Sequence, residues 1–271
     1  MLMKLFVANV GVNIDDVKKR NIKSPIFKDA TFEFFPIKES NKNTSFSELE
    51  YSELYSFNNP GKKLINYIPK KYHDYYVHND PEFNSFTYGD IKTPRASNLK
   101  FMVKGDCIIF LVRLFDYDND SFTNKSNLYF IGYLIVEENS LFSSENMFLS
   151  NNKILHQRIK LNAHFKRYYK GSKEQFRILI GDKDKSQRFK KALKITPEVA
   201  GLLFNGKYNV SNDGFISNKD GNLLKNKNGN FKKFSHFASI TRSIQEHLND
   251  SDKSEKKSMG KLFDLIDAKC L

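Results

Sequence analysis

Tryptophan is absent from this chain and cysteine occurs only twice, as Cys107 and Cys270, far apart in the sequence. Two distant thiols give neither a disulfide framework nor a metal-ligand spacing. Cys107 sits inside the apolar run CIIFLV, where a thiol is an ordinary small buried group. No GxxxxGK[ST] loop, nucleophile elbow, dinucleotide fingerprint or metal motif occurs. No metal is therefore expected from spacing, and the identity of any cofactor is left open. No apolar run approaches the ~20 residues that a membrane-spanning helix requires. The amino-terminal MLMKLFVANV is too short for a signal-peptide core with a cleavage site and reads as a first strand. These absences lead us to expect a soluble, cytoplasmic protein with no membrane partner.

What is present is aromatic and basic. With 25 Phe and 13 Tyr among 271 residues, the chain has ample material for a core. The formal net charge is +13, and all of the excess lies in the second half. Residues 1–150 hold 18 Lys and Arg against 19 Asp and Glu, whereas residues 151–271 hold 26 against 12. A basic region attracts polyanions by neutralising phosphates and releasing counterions, so nucleic acid is the natural partner. Solvated surface lysines would be the bland alternative, but a uniform compositional bias would not spare the first half.

The pattern predicts an α+β chain, mainly antiparallel, built on a curved or barrel-like sheet with short flanking helices. KLFVANVGVN (4–13) reads as a strand ending in a glycine turn, and TFEFFPI (31–37) as an edge strand closed by Pro36. CIIFLVRLF (107–115) and LYFIGYLIVEE (128–138) are the strongest strand signals, with DYDNDSFTNKSN between them as a polar loop. FRILIGDKDKSQRFKKALKI (176–195) reads as a strand, a turn and a helix. SHFASITRSIQEHLND (235–250) has helical apolar spacing. Residues 1–248 are expected to form one domain, followed over 249–271 by a polar linker and a short terminal helix.

Polar side chains that could carry chemistry fall in five stretches. Asn9 and Asn13 flank Gly11 and could read the edge of a base. Asp29 and Glu33 lie four apart, on one side of an extended segment, and could do acid–base work or grip an exocyclic amine. HNDPEFNSFTYGD (78–90) supplies Asp80, Glu82, Tyr88 and Asp90, with Arg95 shortly after. The expectation is that Asp80, Glu82 and Asp90 share a pocket with Asp29, Glu33 and Tyr88. NAHFKRYYK (162–170) interleaves Asn162, His164 and Arg167 with aromatic residues, a pattern suited to phosphate contact and base stacking. GDKDKSQR (181–188) offers Asp182, Lys183, Lys185, Ser186 and Arg188 for a phosphate at a helix start. Each has a plain structural counterpart: a turn, a solvated acid, or a satisfied histidine.

The Lys-Gly-Asp turn before CIIFLV and the strand that follows it resemble the central hairpin of PUA-like barrels, including the EVE and ASCH groups. Taken in order, NVGVN, SPIFKDATFEFFPI, DPEFNSFTYGD, NAHFKR and ILIGDKDKSQRFKKAL resemble the third of the nucleotide modification associated domain families. The likeness runs over roughly residues 3–248, and FEFFPI with DPEFNSFTYGD is its most specific part. It implies a part in making, recognising or processing modified nucleotides within a DNA base-modification system, with partner proteins of that system. The motif positions it carries over are Asp29, Glu33, Asp80, Glu82, Tyr88, Asp90, His164, Arg167, Asp182 and Ser186. Ala30 stands where the family's glycine is expected after Asp29.

Two functions fit. In one, the protein is a reader, in which Asn9, Asn13, Asp80, Glu82, Arg95, Asn162 and Arg167 hold a base while the basic half holds phosphates. In the other it is an enzyme acting through Asp29, Glu33, Tyr88, Asp90 and His164. Acids and His164 lining one cleft would favour chemistry, and a pocket walled by aromatics would favour reading.

Overall fold

The longest apolar stretches of the chain form its longest strands, β6 (Cys107–Asp118) and β7 (Ser121–Phe142), paired as one antiparallel hairpin. Their turn is only Asn119–Asp120, both at positive φ (48° and 56°), as a two-residue hairpin turn requires. The polar segment expected to be a loop is therefore strand on both sides of that turn. Its polar residues reflect exposure at the hairpin tip and not a break in pairing. The architecture is that of a computed structural model, which describes residues 3–11, 21–39, 49–91, 94–142, 157–169, 175–211, 215–226, 228–232 and 245–271.

On one side of this hairpin β1 (Lys4–Asn9) runs parallel to β6 and is flanked by β12 (Gln245–Asn249). On the other side β8 (Phe176–Gly181) pairs with the far end of β7, and β5 (Thr87–Ile91) pairs with β8. The path is β12-β1-β6-β7-β8-β5, with β2 (Pro25–Ile26) also on β6 and β9 (Gln187–Lys194) also on β7. Short ladders pair β3 (Ile37–Lys38) with β4 (Val77–His78), and β10 (Asn209–Val210) with β11 (Ile216–Ser217). The sheet does not close into a barrel: β12 and β5 lie at opposite ends of the path. The barrel-like expectation is thus corrected to an open sheet with parallel and antiparallel pairs. β1 is buried over Leu5–Ala8, and β6 over Cys107–Val112 and at Leu114 and Phe115. Strands covered on both faces read as unbroken apolar runs, which is why CIIFLV lacks alternation.

Residues 187–194 are strand, not helix. Phe189, Ala192 and Leu193 are buried against β7, and that pairing overrides the helical propensity of a Lys-rich segment. Helices α1 (Ala163–Tyr169), α2 (Pro197–Leu203) and α3 (Lys253–Cys270) flank the sheet. α3 begins inside the stretch expected to be a linker. Asp252 caps it by accepting the N–H groups of Ser254 and Glu255, and Met259, Leu262, Ile266 and Cys270 form its buried stripe. That stripe joins the same core as β1 and β6. Of 235–250, residues 245–249 are strand β12 and the preceding residues lie outside those described. The Thr31–Ile37 edge strand reduces to bridges at Thr31 and Phe32 followed by β3. Ala30 adopts φ +67°, so the turn does demand a left-handed residue where the sequence departs from glycine. No helix among the described residues is long and apolar enough to cross a membrane.

Candidate functional site

The site is assembled from two strand ladders and a helix cap that bring distant polar residues to one point. Pairing of Ile37 with His78 draws the chain after β3 beside β4, and the Glu39 N–H donates to the Tyr76 carbonyl at 2.9 Å. Pairing of Gly89 with Ile178 sets β5 on the sheet edge, close to the start of α1. Asn162 caps α1: its side-chain oxygen accepts the His164 N–H at 2.9 Å. The His164 ring then lies nearly parallel to Phe176, 24° from coplanar with centroids 6.2 Å apart.

At the centre stand His78, Asp80 and His164, all at least nine-tenths buried (7%, 9% and 6% exposed). His78 Nε2 lies 3.1 Å from His164 Nε2, and His164 Nε2 lies 3.6 Å from Asp80 Oδ2. One ligating atom from each residue falls within 4.8 Å of the others, as a shared ion would require. Around them is a second layer. The Gly89 N–H reaches both Asp80 oxygens at 3.1 Å, and Asn162 Nδ2 donates to Asp80 Oδ1 at 3.3 Å. Glu39 sits 3.3 Å from His78 Nδ1 and is gripped by the Arg167 guanidinium through Nε and Nη2.

Electrostatics follow from that wiring. Burial pushes Glu39 up, but hydrogen bonds and charge from His78 and Arg167 outweigh it and hold the carboxyl down at about 2. Burial raises Asp80 well above the usual carboxylate range against the pull of the Gly89 N–H, and Asp90 adds to the rise. Burial likewise pushes His164 well below the usual imidazole value, with the charges of His78 and Arg167 acting the same way.

Gly89 is required by close approach. A Cβ there would lie 2.9 Å from His164 Cδ2 and 3.0 Å from Asn162 Oδ1. The cluster opens into a cleft of about 270 Å³, whose lining includes Asn9, Tyr88, Asp90 and Arg167. Tyr88, its ring 5.3 Å from that of Phe110, is the one aromatic wall among the described lining residues besides the two imidazoles.

The expected shared pocket divides into three places. Asp80, Tyr88, Asp90, His164, Arg167 and Asn9 meet in this cleft, with Asn162 behind them. Glu82 instead closes its own turn, accepting the N–H groups of Asn84 and Ser85, and lines a second pocket with Arg188. Asp29 and Glu33 line a third, where Asp29 is spent on the Thr31 backbone and hydroxyl. Glu33 takes a hydrogen bond from Ser56, its Oε2 has no hydrogen-bond partner, and burial pushes its carboxyl up.

The 181–188 segment is a hairpin turn, so the helix start expected to hold a phosphate does not form. Lys183 and Lys185 are exposed, Lys185 pairs with Asp182 at 3.0 Å, and Ser186 is buried, accepting the Ile135 N–H. Arg188 turns inward, its guanidinium carbon 4.1 Å from the Phe57 ring centre and 5.6 Å from that of Phe83. Asn13 and the Arg95 side chain lie outside the described residues. Reasoning from sequence singled out neither His78 nor Glu39. His78 and Asp80 are two apart in an extended segment and so share a side, which was a usable signal. Glu39 carries none, because only the β3–β4 ladder brings it to the histidine.

Comparison with known proteins gives one match: the family described as nucleotide modification associated domain 3 matches residues 4–209. No curated protein and no solved structure matches. The matched span holds every residue of the cleft.

Proposed function

We propose, for a chain that belongs to the nucleotide modification associated domain 3 family, that it processes a base or nucleotide in the cleft formed by His78, Asp80 and His164. Membership of the family supports a role in a nucleotide modification system. The observation that carries the finer reading is convergence: two imidazoles and a carboxylate, drawn from β4, its following loop and α1, meet in one cleft with a second layer that orients His78 and Asp80. A reader needs stacking faces, and this cleft offers one tyrosine beside its acids and histidines. Reacting groups need fixed orientation, which Glu39, Arg167, Asn162 and Gly89 supply.

In this reading Tyr88, Asp90, Asn9 and Arg167 contact the base or sugar at the mouth. The basic second half, including Lys183 and Lys185, holds the phosphates of a nucleic acid, and partner proteins of the modification system deliver it. Mass spectrometry of nucleosides tests this, using cells with the wild-type protein, without it, and with Asp80→Asn. The abundance of at least one modified nucleoside should change with the wild type and return to the protein-free level with the variant. Identical profiles in all three would overturn the reading.

A further inference from the structure

We propose that His78, Asp80 and His164 together bind one divalent first-row transition-metal ion through His78 Nε2, His164 Nε2 and Asp80 Oδ2. This deepens the reading of the same cleft as the reacting site, and it is testable without any nucleotide. Ligand atoms each about 2.1 Å from one ion stand roughly 3.0–3.4 Å apart in octahedral or tetrahedral arrangements. The observed separations of 3.1 and 3.6 Å sit around that range. Two imidazole nitrogens edge-on to one another, their rings 86° apart, converge on a point and do not stack.

Two of the three ligands, His78 and Asp80, have surroundings that prepare them for an ion, while His164 Nδ1 has no hydrogen-bond partner. The carboxylate of Glu39 faces His78 Nδ1, which places that proton on Nδ1 and leaves the Nε2 lone pair directed inward. Arg167 fixes Glu39 in turn. Asp80 is handled in the same way. Its Oδ1 takes hydrogen bonds from both Gly89 and Asn162, whereas Oδ2 shares only the Gly89 N–H and faces His164. All three side chains are buried yet line the cleft, which gives a substrate a path to the ion. Two imidazoles with one carboxylate suit zinc, iron(II), manganese or nickel, and not magnesium or calcium, which prefer all-oxygen shells. The sequence hides this site because its two histidines are 86 residues apart and no motif spacing joins His164 to the His78–Asp80 pair.

The experiment uses the full chain, stripped with a chelator and titrated calorimetrically with zinc, manganese and magnesium chlorides, with no nucleotide present. Iron(II) is added in a separate anaerobic run. One equivalent of at least one transition ion should bind, with an accompanying rise in melting temperature, and magnesium at the same concentrations should give neither. Glu39→Gln should keep the stoichiometry and weaken affinity about 10–100-fold, the usual cost of losing an outer-shell partner. His164→Gln should abolish uptake, checked for native circular dichroism. A folded wild-type chain that binds no transition ion, or a folded His164→Gln chain that binds as the wild type does, would overturn the proposal. In the first case the 3.1 Å contact is a hydrogen bond between two imidazoles. Metal uptake without any nucleoside change would leave this inference standing and remove the reading of function. The reverse would do the opposite.

Discussion

Two buried charged regions lie close in the fold and differ in how their atoms are used. In the His78–Asp80–His164 cleft both oxygens of Glu39 and both of Asp80 accept hydrogen bonds from named donors. Of the three central side chains only His164 keeps an unpartnered buried atom, Nδ1, whereas in the Glu33–Arg188 region both charged groups do, at Glu33 Oε2 and Arg188 Nε, although each residue's charge is felt by the other. Glu33 and Arg188 line pockets of about 590 and 460 Å³, both larger than the cleft's 270 Å³. Such polar, roomy pockets admit water to complete the missing bonds. The wiring of its carboxylates, more than size or charge, sets the cleft apart. A cluster whose groups are held by their neighbours is preorganised, and isolated charges beside an open pocket are not.

Asp80→Ala should break this contrast most severely. It strands two neutral donors, the Gly89 N–H and the Asn162 amide, in a buried setting, and we expect a loss of about 2–5 kcal/mol in urea unfolding. Gly89→Ala pushes a methyl into His164 and Asn162, with the Arg177 carbonyl 3.2 Å away as further obstruction. A loss of about 1–3 kcal/mol is expected, measured the same way. The other region should respond in the opposite sense. Burial raises Glu33, so the folded state binds its proton more tightly than the unfolded chain does. Its contribution is therefore most favourable at low pH and is lost as pH rises above the ordinary value of 4.5. Ser56, Arg188, Lys62 and the Phe57 backbone face the group and oppose that rise. Glu33→Gln should stay within about 1 kcal/mol of the wild type, gaining on it as pH increases across a series of unfolding curves.

The smallest change in stability belongs to the exposed turn. Reversing Lys183 and Lys185 to Glu should alter stability by less than about 0.5 kcal/mol. It should also reduce nucleic-acid affinity and flatten its dependence on salt. Unchanged low-salt affinity would remove the phosphate role from this turn.

Much of the sheet was legible because strands buried on both faces announce themselves, as CIIFLV and LYFIGYLIV do. Residues 187–194 were not, because their lysine-rich face carries no alternation until β7 is placed beside it. The same holds for the site. Asp80, Tyr88, Asp90, His164 and Arg167 could be picked out as polar residues dense among aromatics. That Asp29 and Glu33 face elsewhere, and that Glu39 and His78 belong with them, depends on strand pairing between segments 39 residues apart. Sequence spacing reports same-side neighbours within an element and is silent about which elements meet.

The most direct test of the central claim, that nucleotides are handled in the His78–Asp80–His164 cleft, is a nuclear magnetic resonance titration read at the histidine Cε1–H signals. The ligands are the four 2′-deoxynucleoside 5′-monophosphates, their ribonucleotide counterparts and a short single-stranded oligonucleotide. His73, bonded through Nε2 to the Ile68 carbonyl and not among the cleft's lining residues, serves as the internal reference. At least one of these ligands should shift the His78 and His164 signals saturably while that of His73 stays in place. Saturable binding that leaves both cleft histidines unmoved, or no binding by any of them, would contradict it.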